Sequence, residues 1–240
     1  MPKLQFTEYK ATDHKAIVVS LDLAGFSSFC NQPDAATSVP RLAKHFFDVL
    51  NLHFRYDSDA TWTFFDTKKL ELADGQLPEP NFLKFTGDGA LMFWILENSL
   101  DFPQSFCDRI VSVMRQFQKE IASSVPSWEK HWRVHKLPKS VRVGIATGTV
   151  YALRPPHMFT SFTSPVDFVG YCVNLAVRLQ SYCPELGFLV HGHLHSKLPG
   201  MGAGEALKMK GAQAEPVLYF EEDATRVPQS ELKKKFTLSQ

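Results

Sequence analysis

Only four of the 240 residues are cysteine (Cys30, Cys107, Cys172 and Cys183), and no two form a Cys-x-x-Cys pair. That excludes a disulfide framework and a thiolate zinc site, and leaves reduced thiols of a cytosolic kind as the expectation. The first residues, Met1-Pro-Lys-Leu-Gln-Phe6, have no apolar core of a signal peptide, and no apolar run is long enough to cross a bilayer. A cytoplasmic protein with no membrane partner is the expectation. Charge of one sign is not in excess, since the formal net charge is +1. A protein dominated by contacts to nucleic-acid backbone or to anionic lipid would carry more, so no nucleic-acid partner is expected. Walker loops, internal repeats and low-complexity tracts are missing too.

What remains is ordinary for a globular chain, 44% hydrophobic and 21% charged. One segment organises it, Asn81-Phe-Leu-Lys-Phe-Thr-Gly-Asp-Gly-Ala-Leu-Met-Phe-Trp-Ile95. Two apolar runs flank Gly87-Asp88-Gly89, and Asp-Gly between such runs signals a hairpin. The flanks read as buried strands, which places the Asp88 carboxylate beside the core, where a metal or another cation would make it tolerable.

A second carboxylate sits at the end of another buried run, Ala16-Ile-Val-Val-Ser-Leu-Asp-Leu23, followed by Ala24-Gly25-Phe26-Ser27-Ser28. A helix opening after this small-residue turn would aim backbone N–H groups at an anion, with Asp22 beside them to hold a cation. The spacing then predicts a helix from about Val39 to Phe54, with Pro40 in its first turn. Another is predicted from about Leu100 to Ser124, ahead of a connector through Pro126 and Trp128–Pro138. Strands are predicted at Val141–Tyr151, Phe188–His191 and Val217–Phe220, and a short one around Trp62, Phe64 and Phe65. Pro165–Leu179 leads from an extended start into a helix that carries Asn174 and Arg178 on one side. Gly200–Gly204 reads as a flexible loop. The expectation is one domain over residues 1–228, with inserts around 56–80 and 126–138, and a flexible tail over 229–240.

Strands and long helices alternate irregularly around an antiparallel hairpin. This favours an α+β fold, a ferredoxin-like sheet containing antiparallel strands with helices packed on it, over a doubly wound one. His191, His193 and His195 alternate without a carboxylate partner and read as structural rather than as a metal site.

Four segments in order resemble the class III nucleotidyl cyclases, the adenylate and guanylate cyclase catalytic domain family. They are Val19–Ser27, Leu83–Gly89, Val141–Val150 and Asp167–Arg178. With a looser match at Lys210-Gly211, the resemblance runs from about Lys15 to Tyr219. It implies a lyase that converts a nucleoside triphosphate to a 3′,5′-cyclic nucleotide and pyrophosphate. Asp22, Asp88 and the Leu23 carbonyl match the ligands of two Mg²⁺ or Mn²⁺ ions. Gly25, Phe26 and Ser27 match the triphosphate turn, and Lys210 a late phosphate lysine. Lys84 and Asp167 match the base-reading pair, Asn174 the ribose-orienting residue and Arg178 the transition-state residue. It also implies a homodimer with two shared sites, in which metal carboxylates of one chain face base-reading residues of the other.

Base choice stays open on hydrogen-bond chemistry. A lysine donor beside an aspartate acceptor can satisfy adenine, cytosine or uracil. Asp22 and Asp88 stand 66 positions apart (22 to 88), a long gap for the family, and it holds an aromatic-rich insert. No receiver or sensor segment accompanies the domain. Such a stand-alone, insert-bearing chain resembles the pyrimidine cyclases of bacterial Pycsar antiphage defence, which make cUMP or cCMP to activate a separate effector. UTP is the favoured substrate, with CTP not separated from it. Adenylate cyclase is the alternative, and an inactive nucleotide-binding regulator a third reading.

Overall fold

The structure is a computed structural model that describes residues 13–55, 65, 70, 76–97, 101–132, 136–153, 167–182, 184–207 and 214–238. Its centre is the β-branched run foreseen from sequence, β1 (Asp13–Leu23). The strand is buried on both faces, because its two sets of alternate residues enter two separate apolar layers. Antiparallel to it on one side lies β5 (Gly89–Ile95) and on the other β6 (Val141–Leu153). Outward from β5 comes β4 (Phe82–Phe85). Outward from β6 come β8 (Phe188–His191), β10 (Glu215–Phe220), β9 (Met201–Leu207) and β11 (Phe236–Leu238). Among the described strands of this sheet, only β6 and β8 pair in parallel. A three-residue strand, β7 (Asp167–Val169), pairs with the end of β6. Short strands β2 (Phe54–Arg55) and β3 (Leu77–Pro78) pair apart from the main sheet.

One layer packs Ile17, Val19, Leu21, Met92 and Trp94 against two helices, α2 (Ala35–Asn51) and α3 (Gln104–Trp132), which follow a short α1 (Phe26–Cys30). The other packs Ala16, Val18, Phe93 and Ala146 against α4 (Tyr171–Tyr182). This is the expected α+β architecture of mixed sheet and packed helices. Helix α4 approaches β6 closely because Gly144 has no side chain. A Cβ there would lie 2.1 Å from the Ala176 carbonyl oxygen.

Several boundaries differ from the sequence expectation. Helix α2 starts at Ala35 rather than near Val39, because the Asp34 carbonyl accepts the N–H groups of Thr37 and Ser38. Pro40 therefore lies beyond the first turn. Helix α3 runs through Pro126 to Trp132 in place of a connector from 126. Buried Val125, with Trp128 and Trp132 stacked on each other and on His45 of α2, holds the helix together across the proline. The expected Gly200–Gly204 loop is instead the start of β9, where Gly202 gives room to the Tyr219 ring. The expected flexible tail is α6 (Gln229–Lys235) followed by β11, anchored by buried Leu232 and paired with β9. Helix α5 (Glu221–Ala224) precedes it. Of the short strand expected around Trp62–Phe65, only Phe65 is described, bridged to Leu96. No described helix is long and apolar enough to cross a membrane.

Candidate active site

The β4–β5 connection is a hairpin turn, but its left-handed residue is Gly87, with φ of 97°, and not Gly89. Thr86 donates its N–H to the Gly89 carbonyl at 3.0 Å across the turn. Gly89 already belongs to β5, where a Cβ would come within 1.9 Å of the Leu21 carbonyl oxygen. The absent side chain lets β5 close on β1, and the Leu23 N–H reaches the Asp88 carbonyl at 2.7 Å. Two acidic residues distant in sequence are thereby placed side by side, Asp22 at the end of β1 and Asp88 in the turn.

Asp22 stands opposite Arg142 in the β1–β6 register, so both side chains rise from the same sheet face. Arg142 Nε donates to Asp22 Oδ2 at 2.8 Å, and a second guanidinium nitrogen donates to the same oxygen. Burial pushes the Asp22 carboxyl above its ordinary value; Arg142 opposes that shift and the neighbouring Asp88 adds to it. Arg142 was not foreseen as a site residue. Its signal was a lone charge between Val141 and Val143 in an otherwise apolar strand.

Asp22 and Asp88 form a hard-oxygen donor set of the kind that Mg²⁺ and Mn²⁺ prefer. Among the described residues no group of three or more His, Cys, Asp and Glu could hold a metal ion. Two carboxylates and a main-chain carbonyl leave coordination positions for substrate oxygens, so the residues fit a metal that arrives with a triphosphate. Gly25, with φ of 92°, turns the chain into α1, whose short body carries Phe26 and Ser27. The Ala24 N–H is taken by the Ser140 carbonyl at 3.0 Å, which fixes the approach to that turn.

Lys84 lies on β4 across from Leu91, which itself faces Ser20, so its side chain leaves the sheet on the Asp22 side. It donates to Asp167 Oδ2 on β7, while Asp167 Oδ1 accepts the Phe168 N–H at 2.9 Å. Phe168 packs on Phe82 and Phe93, pulling β7 over the sheet toward β4. The two residues expected to act as a pair, 83 positions apart, are brought into contact. Asn174 and Arg178 both sit on the exposed side of α4. Lys210 lies outside the described residues, as do parts of the 56–80 segment.

The histidine group has a carboxylate partner after all. His191 Nε2 hydrogen-bonds Glu215 Oε2 at 3.1 Å, a pairing hidden from sequence by the 24 positions between them. Burial, reinforced by His193, holds the His191 imidazole below its ordinary pKa.

Neither the protein-family models nor the curated proteins contain a match to this chain. Solved structures do. The guanylyl cyclase Cya2 is 17% identical, with a TM-score of 0.51 over 88% of this chain and 92% of that one. A bacterial light-regulated adenylyl cyclase is 15% identical, with a TM-score of 0.59 over 90% of this chain but only 54% of its own length. The guanylate cyclase domain of RhGC from Catenaria anguillulae, in complex with GTP, is 15% identical, with a TM-score of 0.50 over 88% and 98%. The chain thus has the fold of adenylyl and guanylyl cyclase catalytic domains.

Proposed function

We propose that this protein is a nucleotidyl cyclase that closes a nucleoside triphosphate to its 3′,5′-cyclic monophosphate and releases pyrophosphate. The observation that carries the reading is a placement. In a cyclase fold, Asp22, Arg142 and Lys84 rise from one sheet face, Lys84 holds Asp167, and Asp88 stands in the turn beside Asp22. The Catenaria neighbour's bound GTP supports a triphosphate as the ligand class for this face.

Asp22, Asp88 and the Leu23 carbonyl would hold the divalent ions, two per site. When bound, such ions make the ribose 3′-OH more acidic and offset the phosphate charge. The turn at Gly25, Phe26 and Ser27, together with Lys210, receives the β- and γ-phosphates. Arg142, whose guanidinium stands at the Asp22 carboxylate, would meet a phosphate oxygen. Asn174 orients the ribose so that O3′ stands in line with the α-phosphorus. The O3′–P bond forms as the bond from phosphorus to the bridging oxygen breaks, and the hydroxyl proton passes to solvent. Arg178 offers its fork to the oxygens on which charge grows.

Lys84 and Asp167 read the base edge as donor beside acceptor. We favour a pyrimidine, UTP first, because the 22-to-88 gap with its aromatic insert offers material to shorten the base pocket. A cUMP product would serve a separate effector in antiphage defence. ATP is the second reading, since Lys84 and Asp167 satisfy adenine equally well.

The working unit is a homodimer with two shared sites. Among the described residues, seven of the eight exposed large hydrophobic ones lie on β4, the end of β6, β7 and α4, the elements that carry or adjoin Lys84, Asp167, Asn174 and Arg178. A second copy of this chain would cover them while bringing its own carboxylates to those residues. Incubation of the purified protein with ATP, GTP, CTP and UTP in equimolar mixture with Mn²⁺, followed by mass spectrometry, tests both levels. Mainly cUMP is expected; mainly cAMP would replace the base assignment, and no cyclic product would overturn the reading.

A further inference from the structure

Helix α4 is pinned to the sheet from beneath by Gly144, but a second tie reaches it from two strands farther out. Tyr171, its first residue, donates its phenol O–H to Glu215 Oε1 at 2.8 Å. The other oxygen of that carboxylate is held by His191, whose imidazole is buried on β8. A neutral imidazole facing a carboxylate places its proton on the shared nitrogen, so Nε2 donates and Glu215 accepts from both sides. The phenol's own pKa is raised by desolvation and then by Glu215, with the Arg178 charge opposing.

Tyr171, Asn174 and Arg178 are spaced i, i+3 and i+7, one stripe along the helix. The stripe is exposed, and Tyr171 ties it to a strand of the sheet through its hydroxyl.

We propose that His191, Glu215 and Tyr171 form a positioning relay that fixes the rotation of α4 and so the aim of Arg178 and Asn174. The proposal rests on the cyclase reading above. The relay touches no substrate. It acts by removing a rotational freedom of the helix, and such freedom matters because a small misplacement of a transition-state group is costly in rate. An interaction felt only in the transition state appears in kcat and not in KM.

Tyr171→Phe is the clean test, since the ring stays and only the hydroxyl that reaches Glu215 is lost. Its kcat should fall about tenfold, with KM for the triphosphate and the melting temperature nearly unchanged. Glu215→Gln keeps an acceptor for the phenol and should recover most of the rate that Glu215→Leu loses. In an Arg178→Lys background, Tyr171→Phe should cost almost nothing more, because the relay works through Arg178. An unchanged kcat in Tyr171→Phe, a rise in KM alone, or a fully additive loss with Arg178→Lys would each overturn the relay. If Arg178→Lys itself left turnover intact, the fault would lie in the cyclase assignment of Arg178 instead.

Discussion

Two ion pairs of the candidate site are built differently. Asp22 and Arg142 face each other across central strands, with side chains 13% and 27% exposed, whereas Lys84 and Asp167 bridge an edge strand and a three-residue strand at 46% and 35%. Desolvation makes the first pair dependent on its partner, because either charge alone would be poorly solvated beside Asp88. Water makes the second pair cheap to open and cheap to lose. The inner pair is suited to exchanging one cation for another, while the outer is suited to opening for the edge of a base.

The sharpest way to break this comparison is to remove charge from the inner site. Asp88→Ala should abolish cyclic product, a loss of about a thousandfold or more in kcat, since on the proposed reading ions held here would assist the attacking oxygen and offset charge on the phosphates. The variant should keep its fold, because a turn tolerates alanine there; near-normal turnover in folded protein would end the metal assignment. Next in size is complementation. Asp88→Ala and Arg178→Ala, each inactive alone, should recover up to about a quarter of wild-type activity when mixed under subunit exchange, as one of the two shared sites then collects neither lesion. Proven exchange without recovery would remove the shared-site dimer.

The outer pair should show the reverse balance between function and fold. Lys84→Ala should lower kcat/KM for the preferred triphosphate by about ten- to a hundredfold while shifting stability by less than about 1 kcal/mol. In metal-free protein Arg142→Ala should cost more, about 1–3 kcal/mol by urea titration, because it strands a desolvated carboxylate. If the two stability costs came out in the opposite order, the contrast between the pairs would fail.

The smallest effect concerns acid. Burial depresses the His191 pKa in the folded chain, whereas the unfolded value is about 6.5. As pH falls below that unfolded value, the unfolded chain takes up a proton that the folded one resists, so stability declines toward acid. Urea midpoints at pH 7.5 and 5.5 should show the decline, and His191→Gln should flatten it. An equal decline in the variant would assign it elsewhere, to His14 for example, which burial shifts the same way.

What the sequence made legible follows from how local each signal is. The run from Ala16 to Leu23, the hairpin around Asp88 and the helix bearing Asn174 and Arg178 are written in contiguous residues, and those elements are where they were expected. Arg142 and Glu215 could not be found that way, because their importance comes from a partner on a neighbouring strand, set by register. The passage of α3 through Pro126 escaped notice for a related reason. Proline weakens a helix locally, and only the stacking of Trp128 and Trp132 against α2 outweighs it. The glycine run at 200–204 reads as a loop until the Tyr219 ring that needs the space is in place.

The main sheet ends in two short borders. At one, β11 is a three-residue strand paired with β9; at the other, the four-residue β4 is paired, among the described residues, with β5 alone. So short an edge offers a stray chain few backbone groups to pair with, and at β4 Lys84 adds a charge that discourages addition. On the cyclase reading, the residue that meets the base doubles as a guard against fibril growth. Substituting it with an apolar side chain would trade selectivity for a tendency to precipitate, and removing β11 would bare the seven-residue β9 to the same fate.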